Sequence, residues 1–521
     1  MMWIHTLLFA TSFLIDYGFA KPVQTPFEVD ATKPRKLHGR FLHITDMHPD
    51  PHYLHKAAES TGCHRRKKNK KSKNKECDSP FRLTNYTLDF LNKNWADEID
   101  FVIWTGDNAR HDDDRKLPRT PAEIYDLNRH VAAKMTKVFY NKGIPVVPSL
   151  APGPNSITNE YSSIWSQFIP FPYLQVFQRG AYYTTEVIPN EVAVISLNTM
   201  YFYDSNKVVN GCPYKDRNDP GNLQIDWLTV QLREYRERGH VPPAPGNYFP
   251  ECYIRYVELA LRFQDTILGH LFGHMNADHF FFLEAEDLRI YPDEDDETKV
   301  TSDQGLLESL YVDFATLPKK PKQSELDDYA VVNVAPSVVP NPYLPSFRIF
   351  SYNITDKGKR AERTGKRKHG HRRGSEGNKA NCKSDEYRNT WRCHLDRTWH
   401  SDPHSPSRRN QRWTPLGYAQ YYIPHLDQAN KTMKPKFELE YVTYKAEDLV
   451  PSDEGGQVLV PLRHLPEELI SNSATKAEKS KFAPYRLKDL TIGSWVRLGH
   501  EIGDSSRKKL RKKFRRYMFM V

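Results

Sequence analysis

The chain has 521 residues, of which 38% are hydrophobic and 27% charged, and its formal net charge is +10. This balance excludes a chain that is disordered throughout. It is typical of one large globular domain, or of two or three ordinary ones, with long loops that accommodate the 37 prolines. The positive charge is concentrated in three runs, at 65–75, 357–374 and 507–516.

The N-terminal residues 1–20 have the pattern of a signal peptide or of a retained N-terminal anchor. An apolar stretch runs from Leu7 to Ile15, and the small residues Gly18 and Ala20 suit a signal-peptidase cleavage site. Asp16 and the short length of the stretch disfavour a membrane span. We therefore expect entry into the secretory pathway, and membrane attachment through this segment stays open.

Two further patterns agree with a lumenal compartment. Three N-x-[ST] sequons are candidate glycosylation sites, namely Asn85, Asn353 and Asn430. Six cysteines leave many connectivities open, but an oxidising lumen favours bridges over free thiols. The sequential pairing is the one we expect: Cys63 with Cys77, Cys212 with Cys252, and Cys382 with Cys393.

Strand-like and helix-like segments alternate from residue 40 to about residue 290, which predicts an α/β domain. Strands are expected at 41–45, 100–105, 144–147, 191–199 and 265–274, and helices at 84–99, 121–141, 223–238 and 252–263. Pro121 suits the first turn of its helix. The segment 346–354 could supply a closing strand.

Three regions follow the α/β domain. Residues 355–410 are basic, polar and poor in apolar residues, which predicts a mostly disordered low-complexity insert. Residues 411–490 have a mixed pattern and are expected to form a smaller C-terminal region that packs on the core. Residues 491–521 end the chain as a basic tail.

Residues able to bind a metal follow three of the predicted strands. Asp46 and His48 come directly after the first strand, two positions apart, so in an extended segment their side chains point the same way. Asp107 emerges just past the second strand. His274 and Asn276, again two positions apart, follow the last one. Ligands of α/β proteins bind at the carboxyl ends of strands, so we expect these side chains to converge.

Each of these signals is weak alone, because aspartates and histidines are common in surface loops. Together they are specific, since three strand ends of one α/β domain each deliver a residue of ligand type. Carboxylates and imidazoles suit divalent ions such as Mn, Fe and Zn. Asp107 could bridge two ions about 4 Å apart, an arrangement used in phosphoester hydrolysis to polarise phosphoryl oxygens and activate water.

At these residues the chain resembles the calcineurin-type metallophosphoesterases, in their acid-sphingomyelinase-like branch. Four motifs carry the resemblance: D-x-H at 46–48, G-D-x-x-x-H-D at 106–112, G-H-V-P-P at 239–243 and G-H-x-x-x-D-H-F at 273–280. The segments 246–253, 333–353 and 414–444 are closer still to the fungal vacuolar endopolyphosphatases. The resemblance implies a four-layer α/β/β/α sandwich over 38–354 and endo-cleavage of inorganic polyphosphate. It also implies a location in the vacuole lumen or at the vacuolar membrane.

The resemblance also implies a role for each candidate residue. Two divalent ions, with Mn, Mg, Co, Zn and Fe all open, would share these ligands: Asp46, His48, Asp107 and Asn276 for the first, and Asp107, His240 and His274 for the second. His111 would sit beside the leaving oxygen as a general acid. His270 lies inside a predicted buried strand and is expected to be structural.

The sequence departs from the family pattern at the second ion. The family places an asparagine after its third strand, whereas the turn Ala151–Pro154 has no ligating side chain. Asn155 could substitute only if the loop folds back. Helical, charged residues precede His240 in place of an apolar strand, so a central strand is expected to be absent. We therefore expect a second ion that is weakly held.

The basic runs could guide a polyanion to the metal centre, since lysine and arginine clusters bind such a chain much as they bind a nucleic-acid backbone. Solvated charge without a partner is equally open. Aromatic interleaving that would stack bases is missing, so no specific nucleic-acid partner is expected. Two alternatives to an endopolyphosphatase remain: a catalytically impaired polyanion-binding relative and a sphingomyelinase-like phosphodiesterase. The oligomeric state is not predicted.

Overall fold

Strands and helices alternate through most of the chain. The computed structural model describes residues 36–66, 77–149, 156–238, 248–291, 303–355, 378, 380–395, 402–429, 432–450, 456–470 and 480–520. The strands in these ranges are β1 (Arg40–Ile44), β2 (Phe101–Trp104), β3 (Val146–Pro148), β4 (Tyr183–Ile188), β5 (Val192–Ser196), β6 (His270–Phe272), β7 (His279–Glu284), β8 (Tyr329–Val334), β9 (Ser346–Tyr352), β10 (Pro415–Tyr422) and β11 (Glu438–Val442).

The helices pack on both sides of these strands and connect many of them. They include α1 (Phe81–Asn94), α2 (Pro121–Val138), α3 (Ser156–Ile164), α4 (Leu174–Gly180), α5 (Pro220–Arg238), α6 (Pro250–Arg262), α7 (Asp303–Thr316), α8 (Glu467–Ile470), α9 (Ile492–Gly503) and α10 (Lys508–Phe519). In the described ranges, no helix combines the length and the apolar character that a membrane crossing requires.

The largest sheet is built around β1, whose five residues are all buried. Its strand order is β11-β10-β9-β1-β2-β3, in which β1, β2 and β3 are parallel and β9, β10 and β11 follow in antiparallel pairs. The crossover helices α1 and α2 return the chain for each parallel pairing. The carboxyl ends of β1 and β2 therefore lie at one edge of the sheet, called the carboxyl edge below.

A second sheet has the order β6-β8-β7, with β6 parallel and β7 antiparallel to β8. Strands β4 and β5 form an antiparallel hairpin. Arg348 on β9 is fully buried, donates to the carbonyl of Val334 on β8 at 2.9 Å, and pairs with the carboxylate of Asp278. This buried contact ties the two larger sheets together. The predicted mixed α/β class with parallel strands is confirmed.

An apolar cavity is lined by strands of both larger sheets and of the β4-β5 hairpin. Among the described residues β5 pairs only with β4, and β6 pairs only with β8. A cavity of about 110 Å³ is lined by Val194 of β5, Leu271 of β6 and Phe41 of β1, among others. Helix α5 runs to Arg238, directly before the segment 239–247, which lies outside the described residues. Within the described residues β5 and β6 therefore each pair along one edge only, and both strands line the cavity.

All six cysteines form disulfides in the predicted sequential pairing. The bridges join Cys63 to Cys77, Cys212 to Cys252 and Cys382 to Cys393. The last one belongs to a part of the basic insert that is folded: the Trp391 indole is buried and donates to the carbonyl of Cys212 at 2.8 Å. The expectation of disorder is therefore wrong for this part of 355–410, because its own disulfide closes it and the backbone N–H of Trp391 donates to Glu251 on α6 at 2.7 Å.

The stretch 491–521, which we expected as a basic tail, contains two helices. Helix α9 buries Trp495, Leu498 and Ile502 in the main core. Helix α10 buries Phe514, Tyr517 and Met518 on one side and exposes lysines and arginines on the other.

Candidate metal centre

Five candidate ligands share an uncommon backbone conformation at the ends of their strands. All have positive φ angles: Asp46 (51°), His48 (32°), Asp107 (53°), His274 (70°) and Asn276 (56°). Such conformations cost on the order of 1–3 kcal/mol each in non-glycine residues and cluster at functional sites. The loops after β1, β2 and β6 therefore hold strained residues where the sequence predicts ligands.

Three of these side chains form one compact group. Asp46, His48 and Asp107 each offer a ligand atom, and these atoms lie within 4.8 Å of one another. The Nε2 atom of His48 is 3.7 Å from Oδ1 of Asp46 and 3.4 Å from Oδ2 of Asp107. The carbonyl of Asp107 accepts from the backbone N–H of Met47 at 3.1 Å, which locks the two loops together. This group has the donor set of a divalent-cation site.

His48 is oriented by a hydrogen bond on the far side of its ring. Its Nδ1 atom lies 2.6 Å from the carbonyl oxygen of Ala109. A carbonyl can only accept, so Nδ1 carries the hydrogen and Nε2 faces the two carboxylates. A second partner of this kind is typical of histidines that bind metals, because it fixes the tautomer and the ring plane.

His274 reaches the same group from β6. Its Nδ1 atom is 3.4 Å from Oδ2 of Asp107, and its backbone N–H donates to Oδ2 of Asp46 at 2.9 Å. The preceding Gly273 permits this approach, since a Cβ there would lie only 2.0 Å from Oγ1 of Thr45. The His274 side chain is 72% exposed, so it faces the opening of the site.

Asn276 supplies an observation that fits a bound cation. Its Nδ2 donates to the carbonyl of Asn341 at 2.8 Å, whereas its Oδ1 is buried without a hydrogen-bond partner among the described residues. An unpaired buried acceptor costs about 1–3 kcal/mol. A metal ion would satisfy it, and an amide oxygen is a suitable ligand for a hard or borderline cation.

The ionisable side chains of the group shift one another's pKa values. Burial opposes a charge on His48, but Asp107 and Asp46 beside its ring raise its pKa well above the ordinary value. Burial likewise opposes ionisation of Asp107, yet His48 and His274 hold the pKa of that carboxyl well below its usual range. The carboxylates and imidazoles of the group thus stabilise opposite charges on each other.

His111 is held beside this group by Asp78, which the sequence analysis missed. Oδ1 of Asp78 accepts from Nδ1 of His111 at 2.7 Å. The rings of His111 and His48 stack with their centroids 4.2 Å apart. Asp78 follows Cys77 of the first disulfide directly, and that neighbour was the sequence signal that could have indicated a fixed position.

The loop of His111 has a second anchor in Arg110. This side chain is fully buried and makes two hydrogen bonds to Glu123 on α2, at 2.6 and 3.0 Å. Helix α2 begins beside this pair, where the hydroxyl of Thr120 accepts from the backbone N–H of Glu123 at 3.2 Å. The start of a helix therefore positions the loop between β2 and α2.

Some candidate residues lie elsewhere. His240, Asn155 and Asn430 are outside the described residues, as is the turn at 150–155. Ser149, directly after β3, donates its hydroxyl to the carbonyl of Leu197 at 3.1 Å. His270 is buried and bonded to the hydroxyl of Tyr256 at 2.7 Å, and burial lowers its pKa to about 3. This arrangement fits the structural role expected for it.

The other two sequons are in ordered surroundings. Asn85 is half-buried on α1, and the threonine of its sequon, Thr87, is fully buried. Nδ2 of Asn353 donates to Oδ1 of Asn410 at 2.7 Å. Both remain predicted glycosylation sites.

No protein-family model matches the chain. Curated relatives match over most of it. The chain is 39% identical to an endopolyphosphatase of Cryptococcus neoformans over 639 aligned positions, covering 94% of this chain and 93% of the relative. That alignment is longer than the 521 residues here, so the relative contains stretches with no counterpart in this chain.

Two yeast relatives with the same name also match the chain. The chain is 33% identical to an endopolyphosphatase of Schizosaccharomyces pombe, covering 67% of this chain and 68% of the relative. It is 35% identical to an endopolyphosphatase of Saccharomyces cerevisiae, covering 66% of each. With the metal-type residues gathered at the carboxyl edge, these similarities leave one conclusion: the chain belongs to the endopolyphosphatase family.

Proposed function

We propose that this chain hydrolyses inorganic polyphosphate at internal phosphoanhydride bonds, using divalent metal held at the carboxyl edge. The observation that carries the proposal is the group of Asp46, His48 and Asp107, whose ligand atoms lie within 4.8 Å of one another. A relative named endopolyphosphatase, which aligns with nearly the whole chain, supplies the substrate class.

The proposed ligands divide between two positions. Asp46, His48, Asp107 and Asn276 would hold a first divalent ion, and Asp107, His274 and His240 a second. Bound there, divalent ions supply Lewis-acid polarisation of the phosphoryl oxygens and lower the pKa of the attacking water. Mn, Mg, Co, Zn and Fe all suit this mixed oxygen and nitrogen donor set.

His111 is the proposed general acid. Its Nδ1 donates to Asp78, so Nε2 is the nitrogen left to deliver a proton to the leaving phosphate. The side chain is 37% exposed and stacks on His48, which places it at the open side of the ligand group. A proton delivered in the transition state contributes about 10²–10⁴-fold to a rate.

We infer that the first ion is held firmly and the second weakly. The first has a complete set of described candidate ligands. The second lacks the asparagine of the family pattern at Ala151–Pro154, and its ligand His240 follows the position of the missing strand. The pairing of β5 and β6 supports this inference, because among the described residues each of them has one partner strand only.

A lumenal location and a layered architecture complete the proposal. Three disulfides favour an oxidising compartment. The N-terminal pattern supports entry into the secretory pathway, and the resemblance of 246–253, 333–353 and 414–444 to fungal vacuolar endopolyphosphatases supports the vacuole. Apolar side chains of β1, β2 and β9 line the same cavity as those of β5 and β6, which supports two sheets stacked face to face in a four-layer sandwich.

The runner-up is a catalytically impaired relative that binds polyphosphate without cleaving it. The departures at Ala151–Pro154 and before His240 favour it, since a metal site that lacks a ligand loses activity. A sphingomyelinase-like phosphodiesterase is the third possibility.

A gel assay separates the three. Purified full-length protein is incubated with long-chain polyphosphate and Mn²⁺, Mg²⁺ or Co²⁺, with Asp107→Asn as the matched control. Products of intermediate length, absent with the variant, support the endopolyphosphatase. Retarded but uncut polyphosphate supports the impaired relative, and release of phosphocholine from sphingomyelin without polyphosphate cleavage supports the phosphodiesterase.

A further inference from the structure

Helix α10 carries a continuous stripe of positive charge. Five exposed side chains repeat at the i, i+1, i+4, i+7 and i+8 spacing that places residues on one helix face, and together we call them the cationic stripe: Lys508, Lys509, Lys512, Arg515 and Arg516. No ion pair between described residues involves them. The charge of the stripe is therefore available to a partner.

The opposite face of α10 is fixed to the protein. Phe514, Tyr517 and Met518 are buried in the main core, and the Tyr517 hydroxyl donates to the carbonyl of Lys481 at 2.6 Å. A helix that binds a membrane surface needs its apolar face free to enter the lipid. The apolar face of α10 is already occupied, so the stripe is a rigid charged surface.

The C-terminal turn of α10 lies at the carboxyl edge. The carbonyl of Met518 accepts from the backbone N–H of Asp278 at 3.3 Å, two residues beyond the proposed ligand Asn276. The Phe519 ring lies 5.6 Å from that of Tyr343. Ser346, which begins β9 beside the carboxyl end of β1, donates its hydroxyl to the sulfur of Met520 at 3.5 Å.

The C-terminal end of the stripe, at Arg515 and Arg516, is therefore the end nearer to the proposed metal centre, and Lys508 and Lys509 form the far end. Twelve residues of α-helix extend for about 18 Å. An enzyme that cuts inside a polymer must hold chain on both sides of the scissile bond. The metal centre is itself rich in carboxylates, so affinity for a polyanion has to come from cations beside it.

We propose that the cationic stripe binds the length of polyphosphate that extends from the metal centre. This inference rests on the proposed function for its substrate. Each lysine or arginine that neutralises a phosphate releases counterions, so binding of this kind weakens steeply with salt. The stripe would select long chains over short ones, because only a long chain reaches its outer lysines.

The test replaces Lys508, Lys509, Lys512 and Arg515 with glutamine in the full-length protein. A matched control replaces four exposed lysines, namely Lys93, Lys137, Lys319 and Lys320. These precede the amino ends of β2, β3 and β8, on the opposite edge from the metal centre, and form no ion pair between described residues. Both variants lose the same charge. If the first does not fold, the double variant Lys512→Gln, Arg515→Gln replaces it.

Binding is measured with end-labelled long-chain polyphosphate by fluorescence anisotropy, with EDTA present so that no cleavage intervenes. We expect the stripe variant to raise the Kd by about tenfold or more and to lower the slope of log Kd against log salt by about 3. The control variant should change neither. Equal effects of the two variants, or an unchanged Kd in the stripe variant, would overturn the inference.

Two further measurements, of cleavage kinetics and of vesicle binding, separate this inference from its alternatives. With metal present, the KM for long polyphosphate should rise in the stripe variant while that for tripolyphosphate stays constant. If the wild type binds polyphosphate through the stripe yet never cleaves it, the proposed function fails and the inference stands. Loss of binding to phosphatidylserine vesicles with unchanged polyphosphate affinity would instead show a membrane surface and overturn it.

Discussion

The Nδ1 atom of His111 lies 2.7 Å from Oδ1 of Asp78, and the backbone N–H of His111 donates to the second oxygen of the same carboxylate. One carboxylate thus fixes both the main chain and the ring of the proposed general acid. The arrangement assigns different roles to the two residues, with His111 acting on the substrate and Asp78 positioning His111.

Replacement of His111 with alanine should lower kcat for polyphosphate by about 10²–10⁴-fold. The loss should be much smaller with bis(p-nitrophenyl) phosphate, because nitrophenolate leaves without needing a proton. Steady-state rates on both substrates check this. His130→Ala, an exposed histidine on α2, is the control. An equal loss on both substrates would show that His111 does not protonate the leaving group.

Asp78→Asn should lower kcat by about 10–100-fold, the range typical of residues that orient a catalytic or ligating histidine. An asparagine cannot accept both hydrogen bonds, so the ring loses its fixed orientation. KM and bound metal should stay unchanged, as measured by kinetics and elemental analysis. Asp113→Asn, an exposed residue of the same loop, should behave like the wild type. Metal loss in Asp78→Asn would indicate that Asp78 is a ligand instead.

Glu440 should make the protein less stable as the pH rises. Burial raises its pKa to about 8, and the nearby Asp278 adds to this, while Gln420, Arg348 and Arg516 oppose it. Between the ordinary value of 4.5 and this raised value, the folded chain binds a proton that the unfolded chain has lost. The free energy of unfolding therefore falls with pH across this window.

Glu440→Gln removes the group that binds this proton in the folded chain. Its guanidinium midpoint should match the wild type near pH 4.5 and exceed it near pH 8, by about 4 kcal/mol in the free energy of unfolding. Glu438→Gln, exposed on the same strand, is the control. Parallel stability curves for the wild type and Glu440→Gln between these pH values would contradict the assignment.

The apolar cavity predicts that Gly269 tolerates a larger side chain. A Cβ there would meet no atom within 4 Å, and the residue lines the cavity. Gly269→Ala should raise the free energy of unfolding by about 0.4–1 kcal/mol through the entropy of the unfolded chain. Gly106→Ala should destabilise, since φ is +89° and the Cβ would lie 2.5 Å from the carbonyl oxygen of Ser149. Thermal melts of both variants check the contrast, and a destabilised Gly269→Ala would contradict the open space.

The alternating strands and helices, and the candidate ligands that directly follow strands, could be predicted from the sequence. Asp46, His48, Asp107 and His274 could be found because a strand end fixes where the next residue points. β6 was predicted too long, at 265–274, since Thr266 and Ile267 take part in turns after α6 that apolar character alone does not distinguish from a strand.

Contacts between segments that are distant in the chain could not be predicted from the sequence. Asp78 acts through His111, which is far away in the chain, and nothing in its local pattern marks it beyond the adjacent Cys77. Helix α10 was taken for a tail because its charge dominates its composition. The spacing of Phe514, Tyr517 and Met518 was the overlooked signal of a buried face.

Native mass spectrometry of the full-length protein, loaded with Mn²⁺ at stoichiometric concentration, measures whether the group at the carboxyl edge binds a divalent ion. We expect one retained ion per chain, lost in Asp107→Asn and kept in the exposed-loop control Asp113→Asn. No retained ion, or equal retention by Asp107→Asn, would contradict the metal centre. Two tightly retained ions would contradict the weak second position.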